Sequence, residues 1–218
     1  RDNSTHVQLG RTTATNIPAT AGLPAVVTVP TYLSGGTKGA TTDAIYSSAV
    51  DALEKLRGNF VVPLFSRDAA TDITDGLTDS ASTYTIASIH AVTKTHVLKM
   101  STMKRRRHRQ AFLSIESDFV SAQIAAAQMA HGRLALTFQD VIHTSVAGGL
   151  LQQQPWMAAT LAAGMQAAAY SKGVVRRTPN QSGVIMKDGS FDPTNDTQTE
   201  QALLAGLMPL RADDTDIV

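Results

Sequence analysis

Six histidines (His6, His90, His96, His108, His131 and His143) and many Ser and Asp residues supply the side-chain types needed for metal binding or acyl transfer. Their spacing does not organise them for either. The H-E-x-x-H pattern, which sets two imidazoles one turn apart on a helix, is missing. His90 and His96 are six residues apart and fall on different sides of a helix. No G-x-S-x-G elbow lifts a serine out of a strand-to-helix turn. With no cysteine, a disulfide framework, Cys-ligated zinc, an iron–sulfur cluster and a thiol nucleophile are excluded. Ser34-Gly-Gly-Thr-Lys-Gly39 has the composition of a phosphate-binding loop. Lys38, however, precedes Gly39 instead of a Ser or Thr, and no strand leads into the segment, so it reads as a turn.

The strongest local charge feature is Lys104, Arg105, Arg106, Arg107 and Arg109. Such a run can neutralise nucleic-acid phosphates, stand solvated at a helix–strand junction, or meet an acidic surface on a neighbouring subunit. No aromatic residue interleaves it, and aromatics are only 5% of the chain, which disfavours base stacking. The overall charge of +1 conceals a division. Residues 1–187 hold 18 Lys and Arg against 11 Asp and Glu, a net of +7, whereas residues 188–218 hold Arg211 against seven acids, a net of −6. A basic body joined to an acidic tail, with Asp213, Asp214 and Asp216 near its end, is suited to head-to-tail packing into rings or helical filaments.

The elements that carry these residues follow from periodicity. Thr41, Thr42 or Asp43 starts a helix through Arg57, with Ile45, Ala49, Ala52, Leu53 and Leu56 on one face and Gly58 as its stop. Phe60 to Phe65 reads as a buried strand, and 66–80 as an acidic loop. A second helix is expected over about 80–103, with Tyr84, Ile89, Val92 and Leu98 inward. Ala111 to Ile115 is a strand, and Asp118 caps a helix through Met129. Leu134 to Ile142 is a third strand, and Pro155 opens an Ala/Gly-rich helix to Tyr170 in which Trp156, Met157 and Met165 are core. Gly173 to Ile185 is β-prone, 191–196 is a turn, and Thr199 to Leu207 is a short helix with Leu203, Leu204 and Leu207 on one side. Alternating helix and strand predict an α/β domain, with a mostly parallel sheet flanked by helices.

Composition agrees with a folded body. Hydrophobic residues are 43% and charged ones 17%, against about 25% charged in an ordinary domain. Abundant Ala with few charges is a surface suited to packing against other protein. No basic-then-apolar leader opens the chain and no apolar run reaches the roughly 20 residues of a spanning helix, so the expected setting is soluble. Arg1 in place of an initiator Met suggests a processed chain or a piece of a longer one.

The succession of segments resembles the contractile tail sheath proteins of myophages. It is carried by the helix Ala44 to Leu56 running into Asn59-Phe-Val-Val-Pro63, the strand 111–115 after an Arg-rich junction, and the strand Arg133 to Phe138. Pro155 with its Ala/Gly helix to Gly164, Gly173-Val-Val-Arg-Arg-Thr-Pro179 and Thr199 to Met208 complete it. The likeness covers most of residues 40–210 and lies in order and texture. It implies a core topology similar to subtilisin's without a protease site, no cofactor or metal, and no enzymatic role. The implied role is a virion subunit that polymerises helically around a tail tube and contracts to drive the tube through the host envelope. Partners would be further copies of itself, the tail tube, the baseplate and the tail terminator, with no nucleic acid and no membrane.

On this reading 1–40 is an irregular segment left from an outer domain, 41–172 the α/β core, and 173–218 a small α+β segment leading to a missing arm. Lys104, Arg105, Arg106, Arg107 and Arg109 would form one side of a subunit contact, and Asp213, Asp214 and Asp216 the other. The competing readings are an α/β hydrolase-like or nucleotide-binding enzyme, which the alternation allows and the missing motifs disfavour, and nucleic-acid binding through the basic run.

Overall fold

A computed structural model of the chain describes residues 38–144, 149–169, 183–186 and 188–210. The chain divides into two units, Arg1–Thr37 and Lys38–Val218, and only the second contains described residues. The Ser34 to Thr37 part of the Gly-rich turn, most of the β-prone run before Gly183, and the acidic positions Asp213, Asp214 and Asp216 lie outside them.

Helix starts follow side-chain caps. Thr42 accepts from the Ile45 amide at 3.3 Å and opens α1 (Asp43–Ala52), which tightens into a single 3-10 turn, Leu53–Lys55. After the short strand β1 (Phe60–Val61) comes α2 (Ala69–Thr74), inside the segment expected to be loop. Thr85 caps α3 (Ile86–Met100), which leads to β2 (Gln110–Ser114). Asp118 caps α4 (Phe119–Met129) through the Ser121 amide at 2.9 Å, as expected.

The run expected to be one strand from Leu134 to Ile142 is two: β3 (Leu134–Thr137) and β4 (Asp140–Thr144). The break falls at Phe138 and Gln139. The Gln139 side chain is buried and exchanges two hydrogen bonds with the Leu210 backbone, at 2.7 and 2.5 Å, which pins the chain where it changes sheet. β5 (Leu150–Gln153) follows, then α5 (Pro155–Ala169) with proline at its first position, β6 (Gly183–Ile185) and α6 (Asp196–Ala205). Asn195 caps α6, and Gly206 ends it at φ 87°, a left-handed conformation suited to glycine.

The fold is α/β. β1, β2 and β3 form a parallel sheet in that order, with Val61 opposite Ala111 and Ser114 opposite Thr137. Strand alternation divides its two faces. Ala111 and Leu113 point to a core shared by Val97 of α3, Phe119, Ala122 and Ala126 of α4, and Ala202 of α6. Phe112 points to the other face, where Ala159, Ala162 and Ala163 let α5 lie close against the strands. A second, antiparallel sheet in the order β5-β4-β6 departs from the expectation of one mostly parallel sheet. The C-terminal segment is not a separate body. Met186, Phe191, Ala202 and Leu207 belong to the same core, and Phe191 packs against Phe119 and Phe138 with ring centres 5.1 and 5.0 Å apart.

α1 keeps the helical period its sequence predicts but turns a different face inward. Ile45 and Leu56 are 54% and 59% exposed, and Ala49 and Ala52 are exposed between them, while Tyr46 and Val50 turn inward. The Tyr46 hydroxyl meets Thr93 Oγ1 of α3 at 2.6 Å, so a residue with a polar tip anchors the inner stripe. On α3 the buried positions are Ile89, His90, Thr93, His96, Val97 and Met100, whereas Val92 and Leu98 are half-buried. Leu203 and Leu204 of α6 also face outward, and Leu207 alone of the expected trio is buried.

Candidate functional site

The basic run forms the turn between α3 and β2, and the structure sends its members to different places. Arg106 takes φ 50°, and successive amides of Arg105 and Arg106 fold back on the Thr102 carbonyl. Arg105 donates to Glu54 at 2.8 Å, Lys99 pairs with the other oxygen of that carboxylate, and Arg107 donates to the Glu54 carbonyl at 2.6 Å. The hydrogen bond from Lys99, with Arg105 beside it, holds the Glu54 carboxyl below the usual range.

Arg109 is only 3% exposed. Its Nη2 donates to the carbonyls of Leu53 and Leu56 at 2.8 and 2.7 Å, and its Nη1 lies against Nε2 of His96. Two arginines of the run, Arg107 and Arg109, therefore bond the carbonyl end of α1 and its 3-10 turn, where unpaired C=O groups and the helix dipole favour cations, while Arg105 pairs with the Glu54 carboxylate. Arg109, expected at a subunit contact, is instead an internal brace, because its fork is filled by its own chain. Lys104 and Arg106 are the members left pointing outward. Lys104 has no hydrogen bond or ion pair among the described residues, and Arg106 reaches only the Met103 carbonyl at 3.3 Å.

Beside this turn lies an open groove of about 530 Å³ at the N-terminal edge of the parallel sheet, where Phe60, Gln110 and Arg133 stand at or next to the strand starts. His108, Arg109, His131 and Arg133 line it with Asn59, and none of its lining residues is acidic. Arg133 joins the two imidazoles: its amide donates to His131 Nδ1 at 3.2 Å and its Nη2 approaches His108 Nδ1 at 3.3 Å. Separation along the chain, with His108 before β2 and His131 after α4, hid this grouping from spacing rules.

At the opposite edge of the sheet a cavity of about 520 Å³ is bounded by Lys38, Leu64, Asp72, Tyr84, Gln152 and half-buried Trp156. The Asp72 carboxylate is already engaged there by Arg67 Nε at 2.9 Å and by the Tyr84 hydroxyl, whose titration burial and Asp72 push upward. Arg67, itself buried, also reaches Asp75 at 2.7 Å and Glu116 at 3.6 Å. This network ties α2 to the segment after β2. α2 begins after Asp68 without a side-chain cap, the Asp68 carboxylate accepting from the Ile86 amide at 2.7 Å instead, so the acidic stretch carries no capping signal for it.

The histidines of α3 are structural. Nε2 of His90 donates to the Ser114 carbonyl at 3.0 Å rather than to a hydroxyl, and burial holds the ring's pKa down. Burial, and then Arg109, do the same for His96. The hydroxyls of Ser66 and Ser114 face each other at 3.2 Å and bond to the Trp156 amide and the Phe65 carbonyl. Among the described residues no serine hydroxyl is bonded to an imidazole, and no three His, Asp or Glu converge as a metal site. No described helix is long and apolar enough to cross a membrane. No family model matches the chain, and no curated protein matches it.

Proposed function

We propose that the chain is a structural subunit of a contractile tail sheath, with the parallel β1–β2–β3 layer and its helices as a subtilisin-like core. In this role it polymerises around a tail tube in the virion and contracts by exchanging one set of subunit interfaces for a lower-energy set. One observation carries the reading: large apolar side chains turn outward on three different helices. Ile45 and Leu56 flank α1, Val120 and Ile124 lie on α4, and Leu203 and Leu204 on α6, the last 81% exposed. Covering such a side chain at a contact gives about 1.5 kcal/mol, so several faces of this kind hold a lattice together without any single strong bond.

The internal braces support the same reading. A subunit that moves as a nearly rigid body needs its elements fixed to one another, and the Arg67 and Arg109 networks tie helices to the sheet at opposite edges. Negative-stain electron microscopy of the purified full-length protein tests the proposal. Tubular polymers are expected, and a monodisperse monomer at concentrations of tens of micromolar in low and high salt would overturn it.

A further inference from the structure

We propose that the groove at the N-terminal edge of the parallel sheet binds the acidic Asp213–Asp216 segment of a second copy of this chain, a head-to-tail contact. The inference rests on the reading of the protein as a self-assembling subunit and names the partner of its basic edge. The donor chemistry comes first. A guanidinium and a backbone amide can only donate, so Nδ1 of both His108 and His131 accepts from Arg133. Each neutral ring then carries its proton on Nε2, and neither Nε2 has a partner among the described residues. The groove therefore offers two imidazole N–H groups and the remaining N–H groups of Arg133, with no carboxylate in its lining. A site rich in N–H donors and free of carboxylates fits a carboxylate ligand, and Lys104 and Arg106, exposed on the neighbouring turn, extend the positive field.

The donor of that carboxylate follows from charge and reach. Residues 188–218 hold seven acids against one arginine, three of them in Asp213-Asp-Thr-Asp216. Leu207 bridges Leu136 in parallel, the Met208 amide donates to the Leu136 carbonyl at 2.9 Å, and Leu210 sits beside Gln139. Residues 207–210 thus run along β3 in its own direction, away from Arg133. Leu210 stands abreast of a residue six positions beyond Arg133, roughly 20 Å along extended backbone. Asp213, three residues past Leu210, reaches at most about 11 Å, and Asp214 about 14 Å. Asp216, six residues past Leu210, spans about 21 Å, but filling the groove of the same chain would need the segment to reverse direction after Leu210 and stay fully extended. A second copy presents the segment without that reversal, so the groove it fills is on another copy. Because the groove and Leu210, where the described chain ends, lie at opposite edges of the sheet, the contact is heterologous and repeats into a ring or an open filament.

The test uses the full-length chain and a labelled Pro209–Val218 peptide as the probe, followed by fluorescence anisotropy at low and physiological salt. Binding is expected to weaken at least ten-fold with Arg133→Gln, with His108→Ala plus His131→Ala, and with a peptide whose three Asp are Asn. Circular dichroism confirms that each variant is folded. Peptide binding that is absent at low salt, or unchanged by both groove variants, overturns the inference. So does groove-dependent binding of duplex DNA or inorganic phosphate in place of the peptide. In the full chain, Asp213→Asn/Asp214→Asn/Asp216→Asn is expected to shorten or abolish polymers. Unaltered tubes from that variant overturn the tail contact and leave the sheath reading standing, whereas groove-dependent peptide binding by a wild type that never forms tubes supports the contact and removes the sheath.

Discussion

Arg109→Met separates an internal brace from a surface contact. Methionine keeps most of the length and apolar stem but removes the fork, leaving the Leu53 and Leu56 carbonyls and His96 Nε2 without their donor. The Leu56 carbonyl left without a donor costs about 1–3 kcal/mol, whereas the Leu53 carbonyl keeps the Leu56 amide at 3.1 Å and loses a second bond worth about 0.5–1.5 kcal/mol. Part of this is offset, because the guanidinium is itself buried, its Nε has no partner among the described residues, and burial holds its pKa below the ordinary value. A net loss of about 1–3 kcal/mol is expected, measured by urea unfolding of the monomer at pH 7.5. Lys104→Glu and Arg106→Glu, on outward side chains a few residues away, should each change stability by less than about 0.5 kcal/mol. Arg109→Lys, which can serve one carbonyl and keeps the charge, should fall between. If Arg109→Met loses under about 0.5 kcal/mol, or if Arg106→Glu loses as much as it does, the division of the run into brace and surface is wrong.

Other measurements bear on different parts of the structure. His90 and His96 are held below the ordinary imidazole pKa, so the unfolded chain binds protons more readily than the folded one. Their contribution is intact above about pH 6.5 and is lost as pH falls, by at most about 1.4 kcal/mol per pH unit for each ring. Urea midpoints at pH 7.5 and 5 should diverge, and His90→Gln should shrink the difference; equal slopes with and without His90 would contradict the assignment. Asp72→Ala, which takes one of three partners from Arg67 and leaves the Tyr84 hydroxyl without its acceptor, should cost about 1–3 kcal/mol by thermal or urea unfolding, with Tyr84→Phe costing less. Ile45→Glu with Leu56→Glu, on the exposed stripe of α1, should leave monomer stability within about 0.5 kcal/mol yet reduce polymer yield in sedimentation assays. Unchanged polymer yield would show that this stripe is not a contact.

Much of the local structure was legible from short-range chemistry. Thr42, one of the three residues expected as a cap, and Asp118 cap their helices, Pro155 opens α5, and β2 begins within one residue of its predicted start. These features depend on hydrogen bonds and sterics spanning three or four residues, which the amino-acid order alone specifies. Strong periodicity on α1 likewise identified a helix, but two stripes compete on it, and only the presence of α3 with Thr93 beneath Tyr46 selects the inner one. The break between β3 and β4 depends on Gln139 finding the Leu210 backbone 71 residues later, so no local pattern announces it.

The candidate site divides in the same way. The amino-acid order by itself determined a basic run, an acidic C-terminal segment, and the lack of spacing for a metal or an elbow nucleophile. Tertiary structure decided that Arg109 turns inward to carbonyls more than 50 residues earlier while Lys104 and Arg106 stay outward. It also brought His108, His131 and Arg133 together at one edge of the sheet. The physical reason is common to all of these. A charge's identity is local, but its role depends on which acceptors the folded chain places within about 3 Å of it, and those acceptors come from distant segments joined by packing.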